Sequence, residues 1–153
     1  MDEQNDDNRP VYVSDLMTAD PIVVEPDVAL SRVLALMREA SIRHVPVIDE
    51  EGIVGVVSDR DLTFIHGLPG VSDKVDDSDV EEMLAAPVAV VMKSRFLVER
   101  DVVTVAVDTP LKEAIDMLVA TRVGAVPVVD DDRQVVGVLS AVDVLRWAAD
   151  EIL

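Results

Sequence analysis

The sequence predicts an α/β protein made of two β-α-β-β-α copies packed about a pseudo-twofold axis. Three observations lead to that fold class. The first is an internal repeat: PIVVEPDVALSRVLALMREASIRHVPVIDEEGIVGVVSDRDL, Pro21 to Leu62, returns as VVTVAVDTPLKEAIDMLVATRVGAVPVVDDDRQVVGVLSAVDV, Val102 to Val144. Asp27 and Leu30 align with Asp108 and Leu111, Pro46 aligns with Pro127, and after a one-residue insertion Gly55, Ser58 and Asp61 align with Gly137, Ser140 and Asp143. Self-similarity over such a length marks one supersecondary unit used twice. The second is that each copy alternates β-prone runs with helical periodicity. The third is size: 153 residues, 50% of them apolar, suit one compact unit or two small ones fused.

The elements follow in order. A short β-prone run, Ile22 to Val24 or Val102 to Val105, meets a helix start at Asp27 or Asp108, where a short acceptor side chain is suited to cap free backbone N–H groups. Leu30, Val33, Leu34 and Met37, and in the other copy Leu111, Ala114, Ile115 and Leu118, recur at helical spacing and form one apolar stripe. Two strands come next, Val45 to Ile48 with Ile53 to Ser58, and Val126 to Val129 with Val135 to Ser140. Their connections, Asp49 to Gly52 and Asp130 to Asp132, are polar as hairpin turns require, and their carboxylates read as solvated turn residues rather than metal ligands. A second helix runs from Asp59 to about His66, ending at Gly67, and from Ala141 to the C-terminus. His66 suits the C-terminal end of its helix. Residues 1–9 form a solvated acidic tail, 10–67 the first repeat, 68–87 a linker with a short helix around Val80 to Ala85, and 88–153 the second repeat. One copy cannot bury its apolar face alone, so the two should pack together and leave clefts between them.

Charge narrows the function classes. Thirty-one acidic residues against thirteen basic ones give a net charge of −18, with the carboxylates spread along the chain. No nucleic-acid partner is expected, because a phosphate backbone calls for clustered Lys and Arg. The pattern resembles that of proteins adapted to a high-salt, halophilic cytoplasm, where screening relieves self-repulsion. The absence of cysteine excludes disulfides and thiol chemistry. Apolar runs fall short of a membrane span, and the polar N-terminus lacks the form of a signal peptide, so a cytoplasmic, soluble protein is expected. Without a phosphate-cradling Gly-rich loop, metal-ligand spacing or related histidines, no enzyme activity is expected.

The lead-in VSDLMTADPIVV, the segments RHVPVID and GAVPVVD, and the two G-V-x-S-x-x-D endings together resemble a tandem cystathionine-β-synthase (CBS) domain pair, or Bateman module, over residues 13–146. The resemblance implies a regulatory sensor of an adenosine-type ligand: AMP, ADP, ATP, NAD(H) or S-adenosylmethionine. It further implies that Asp143 with Ser140, and Asp61 with Ser58, hold ribose. A carboxylate suits a vicinal diol because it accepts from both hydroxyls. The adenine walls implied are Ile22, Val23, Arg43 and His44 in copy one, and Val103, Thr104, Gly124 and Ala125 in copy two. The cleft combining Asp143 with Arg43 and His44 is expected to take a phosphorylated ligand. The other, combining Asp61 with Gly124 and Ala125, has only Arg60 as a cation near it in sequence. Read without the resemblance, each Ser-x-x-Asp is equally a helix capping box, and Gly55 and Gly137 equally permit close strand packing. No cofactor is required. A homodimer through helical faces and an unknown regulated protein are the expected partners, and an interaction or dimerisation module with empty clefts is the rival reading.

Overall fold

The computed structural model describes residues 9–66, 77–95 and 102–153. Copy one begins with α1 (Val13–Leu16) and β1 (Thr18–Ala19), followed by α2 (Leu30–Ala40), β2 (His44–Asp49), β3 (Gly52–Ser58) and α3 (Asp59–His66). Two helices, α4 (Asp77–Ala85) and α5 (Val88–Arg95), lead into β4 (Val105–Ala106), α6 (Leu111–Thr121), β5 (Ala125–Val129), β6 (Val135–Ser140) and α7 (Ala141–Ile152). The expected hairpins form within a residue of their predicted ends, β2 with β3 and β5 with β6, both antiparallel. The mixed α/β fold class is thus as the repeat implied. The expected stop at Gly67 lies outside the described residues.

Two details of the first segment differ from expectation. Ile22 to Val24 makes only a single parallel bridge, Val24 to Val47, while in copy two the pairing moves to Val105 and Ala106 beside Val128 and Val129. Asp27 and Asp108 do not cap their helices; the N-cap positions are Ala29 and Pro110, without side-chain caps. The reason is tertiary. The first helical N–H of α2, on Leu30, donates to Ala86 O at 3.0 Å, and that of α6, on Leu111, donates to Val11 O at 2.9 Å. A backbone carbonyl distant in sequence, from the end of the linker for α2 and from the start of copy one for α6, replaces the side-chain cap that the local sequence offers.

The lead-ins are exchanged between the copies. Val13 N donates to Thr109 O and Ser14 N to Val107 O; symmetrically, Val88 N donates to Val28 O and Ala89 N to Pro26 O. β1 joins the sheet of copy two, giving the order β1-β6-β5-β4. The cores record the same exchange. Val88 completes the cluster of Val24, Leu30, Val33, Met37, Val45, Val47, Val57 and Leu62, while Val13 completes that of Val105, Leu111, Ala114, Leu118, Val126, Val128 and Leu139. The helical stripes therefore face inward as their spacing predicts, with Leu34 and Ile115 at the half-buried margins. Each fully buried valine removed from water contributes about 1.5–3 kcal/mol, so each copy is stabilised partly by the other's lead-in.

Gly137 lies where β6 meets the lead-in of copy one. A Cβ there would lie 2.6 Å from Met17 Sδ and 3.1 Å from Thr18 O, so only glycine lets β1 approach β6. No helix among the described residues is long and apolar enough to cross a membrane.

Candidate functional site

Both Ser-x-x-Asp sequences sit where a buried strand gives way to a helix, and both form capping boxes. In copy two Asp143 N donates to Ser140 Oγ at 3.1 Å, and Ser140 N donates to Asp143 Oδ2 at 2.9 Å. In copy one Asp61 N donates to Ser58 Oγ at 3.3 Å, and Ser58 N donates to Asp61 Oδ2 at 2.8 Å. The box locks each carboxylate by one oxygen. In copy two the second oxygen, Oδ1 of the half-buried Asp143, takes no hydrogen bond among the described residues. The cap therefore occupies one oxygen of the side chain and orients the other.

Two backbone bonds tie each wall to its own helix start. Asp59 N donates to Arg43 O at 2.9 Å, and Ala141 N donates to Gly124 O at 2.9 Å. The copies then meet across the axis. A Cβ on Gly124 would lie 2.9 Å from His44 Nε2 and 3.3 Å from its Cε1, so the imidazole of copy one rests on the glycine of copy two. That places His44 beside the start of α7, within the electrostatic reach of Asp143. Burial of the ring holds His44 below the ordinary imidazole range and outweighs Asp59 and Asp143, which favour its charged form, while Arg43 opposes that form. Arg43 is exposed and makes no ion pair among the described residues.

The other predicted residues fall into place less completely. Ile22 and Val23 are half-buried beside Val24, whose N–H donates to Pro46 O, and make no backbone hydrogen bonds among the described residues. Val103 packs at the margin of the second core, Thr104 is half-buried, Ala125 is buried and Arg60 is exposed on α3. Asp59 was not foreseen as part of the site. A signal for it exists in the repeat: Arg43, His44 and Asp59 stand where the second copy has Gly124, Ala125 and Ala141. All the charge at these positions belongs to one copy.

An open depression of about 570 Å³ lies at the far end of the β2–β3 hairpin, lined by Glu25, Pro26, Asp27, Asp49, Glu50 and Glu51. Its carboxylates repel an anionic ligand, and Asp49 Oδ1 already accepts the Glu51 N–H of the turn at 2.8 Å. In the second turn Asp130 Oδ1 accepts from Asp132 N and Gln134 N, both at 2.9 Å. These carboxylates shape turns, as their setting in the sequence suggests.

Two adjacent α/β repeats with a Ser-x-x-Asp at each strand exit define a paired-repeat module. The CBS domain pattern matches residues 13–65 and 94–150, and the chain belongs to the CBS domain family. Among curated relatives, it is 28% identical over 137 residues to the uncharacterized protein MJ1225 of Methanocaldococcus jannaschii, covering 90% of this chain and 47% of that protein. It is 27% identical to an inosine-5'-monophosphate dehydrogenase of the same archaeon, covering 86% of this chain and 22% of the enzyme. The chain thus spans half or less of the length of these relatives. Among solved structures, CBSX2 in complex with AMP superposes with a TM-score of 0.68 at 27% identity, covering 91% of this chain and 96% of that one.

Proposed function

We propose that this chain is a regulatory sensor module that binds an adenosine-containing ligand between its two CBS repeats and passes the occupancy of those clefts to a partner protein. The observation that carries this reading is the convergence of groups from opposite copies: His44 rests on Gly124 and feels the charge of Asp143, whose Oδ1 is left open by the cap. In this reading Asp143 Oδ1 accepts from the ribose, Ser140 supports it, and Arg43 and His44 face the phosphate end. Ile22 and Val23 bring free backbone groups and apolar surface to the adenine. Asp61, Ser58 and Arg60, with Val103, Thr104, Gly124 and Ala125, form the second cleft, which lacks the basic pair and suits a nucleoside-like ligand. The AMP complex of CBSX2 supports the ligand class. Adenine nucleotides, NAD(H) and S-adenosylmethionine all present the adenosine that such clefts would hold. The ligand acts as an effector in a soluble, cytoplasmic module, and no catalytic role is assigned.

Thermal unfolding with AMP, ADP, ATP, NADH and S-adenosylmethionine tests this directly. A ligand at a hundredfold excess over its Kd adds about 2.7 kcal/mol and should raise the melting temperature by roughly 5–10 °C. A flat response across the panel would leave the clefts without an adenosine ligand.

A second observation concerns assembly. On α7, Val142, Leu145 and Ile152 share one face and are exposed, Leu145 by 68% and Ile152 by 72%, while Val144 and Trp147 on the opposite face pack on the core. Val119 of the neighbouring α6 adds to the apolar surface at 72% exposure. We assign this face to a homodimer, which also gives the rival reading, a dimerisation module, its physical basis. Sedimentation should find a dimer that Leu145→Glu with Ile152→Glu dissociates. A monomeric wild type would remove the assignment.

A further inference from the structure

The repeat makes Gly124 the counterpart of Arg43, yet their surroundings differ. The chain gives copy one a cation at this position and copy two nothing beyond a hydrogen. His44 supplies the reason. Its Nε2 and Cε1 occupy space 2.9 and 3.3 Å from the point where a Cβ of residue 124 would stand. Gly124 has no positive φ among the backbone exceptions, so its conformation is open to other residues and does not account for the glycine. Close approach does.

We propose that Gly124 is a specificity-determining residue: by lacking a side chain it seats the His44 imidazole across the pseudo-twofold axis, at the cleft closed by Asp143, and so makes that cleft read the anionic end of its ligand. The proposal rests on the adenosine reading above and adds the residue that sets its charge selectivity. It also explains why the two clefts differ. The seat that one cleft needs is a missing wall in the other, so a basic pair cannot be built at this position in both copies at once.

The charged groups facing His44 are Asp59 from α3, Asp143 from α7 and Arg43 beside it on its own chain segment. With burial dominating, the free ring is held neutral near neutral pH. An anion placed against it favours the charged form and raises its pKa, so binding takes up a proton. The sign follows. Affinity for an anionic ligand rises as pH falls through the raised, bound pKa, and levels off below the lowered, free one. An uncharged nucleoside shows no such dependence on His44.

The experiment compares adenosine with adenosine 5'-sulfate, whose charge is fixed between pH 5.5 and 8, in calorimetric titrations of the wild type, Gly124→Ala, His44→Ala and the double variant. In parallel, NMR follows the imidazole titration without ligand, and His44→Ala distinguishes the resonances of His44 from those of His66. The new Cβ meets the far end of a side chain, so the ring can swing out and the fold should persist. In the wild type, sulfate affinity should rise at least threefold from pH 8 to pH 6. Gly124→Ala should abolish that rise, reduce selectivity for the sulfate over adenosine at least threefold, and move the His44 titration up toward the ordinary imidazole range as the ring reaches solvent. In the His44→Ala background Gly124→Ala should leave the ratio of sulfate to adenosine affinity and its pH dependence unchanged. An unchanged His44 titration in Gly124→Ala overturns the proposal even without ligand. Wild-type binding with undiminished selectivity in Gly124→Ala overturns it while sparing the adenosine reading. Failure of the wild type to bind either compound overturns both.

Discussion

Asp143→Ala should weaken AMP binding about tenfold or more while leaving the protein folded. A carboxylate that accepts from two ribose hydroxyls gains hydrogen bonds to a charged group, each worth about 1.5–3 kcal/mol, and each 1.4 kcal/mol is tenfold in affinity. The same side chain closes the capping box of α7 through Oδ2, so its loss also costs stability. Ser140→Ala separates the two effects. It removes the Oγ that accepts the Asp143 N–H at 3.1 Å, a cap worth about 0.5–2 kcal/mol, but keeps the carboxylate. Comparable losses of stability are expected from both variants, with the large loss of affinity confined to Asp143→Ala. Calorimetry that finds AMP affinity unchanged in folded Asp143→Ala would take the residue out of the site.

The repeat made much of this architecture legible, and the residues explain where legibility stopped. The hairpins were readable because Pro46 and Pro127, the apolar runs and the acidic turns are local signals, and the structure pairs His44 with Ser58 and Ala125 with Ser140 as those signals require. The helical stripes were readable for the same reason. The starts of α2 and α6 were not: Asp27 and Asp108 are plausible caps, but the groups that satisfy Leu30 and Leu111 are carbonyls of Ala86 and Val11, far away in sequence. The exchange of lead-ins likewise has no local signal, since Val13 and Val88 belong by sequence to their own copies and only the hydrogen bonds to Thr109 and Val28 join them to the other.

At the site, the Ser-x-x-Asp pairs form capping boxes, and the open Asp143 Oδ1 makes the proposed ligand role compatible with the cap rather than in competition with it. The contact of His44 with Gly124 had no local signal. Only a comparison of the two copies, asking where one carries charge and the other a small residue, points to that pair and to Asp59 with them.

The exchanged lead-ins also fix how the module should unfold. Leu62 lies in the core of copy one at 1% exposure and Leu139 in that of copy two at 0%. Truncating a buried leucine to alanine costs about 2–5 kcal/mol through lost transfer energy and the cavity left behind. Were the copies independent, Leu62→Ala would lower one melting transition and leave the other in place. The structure argues otherwise. Val88 from the second lead-in is part of the core around Leu62, Val13 from the first is part of the core around Leu139, and β1 is hydrogen-bonded into the second sheet. Opening either core pulls away an element that the other needs, and strips the backbone cap from the first turn of the facing helix. Leu62→Ala and Leu139→Ala should therefore each lower a single cooperative transition, by roughly 5–15 °C for a chain of this size. Calorimetry provides the check, with the calorimetric and van't Hoff enthalpies expected to agree in both variants. Two resolved transitions, with only one displaced by each substitution, would mean that the exchanged strands and valines do not couple the repeats.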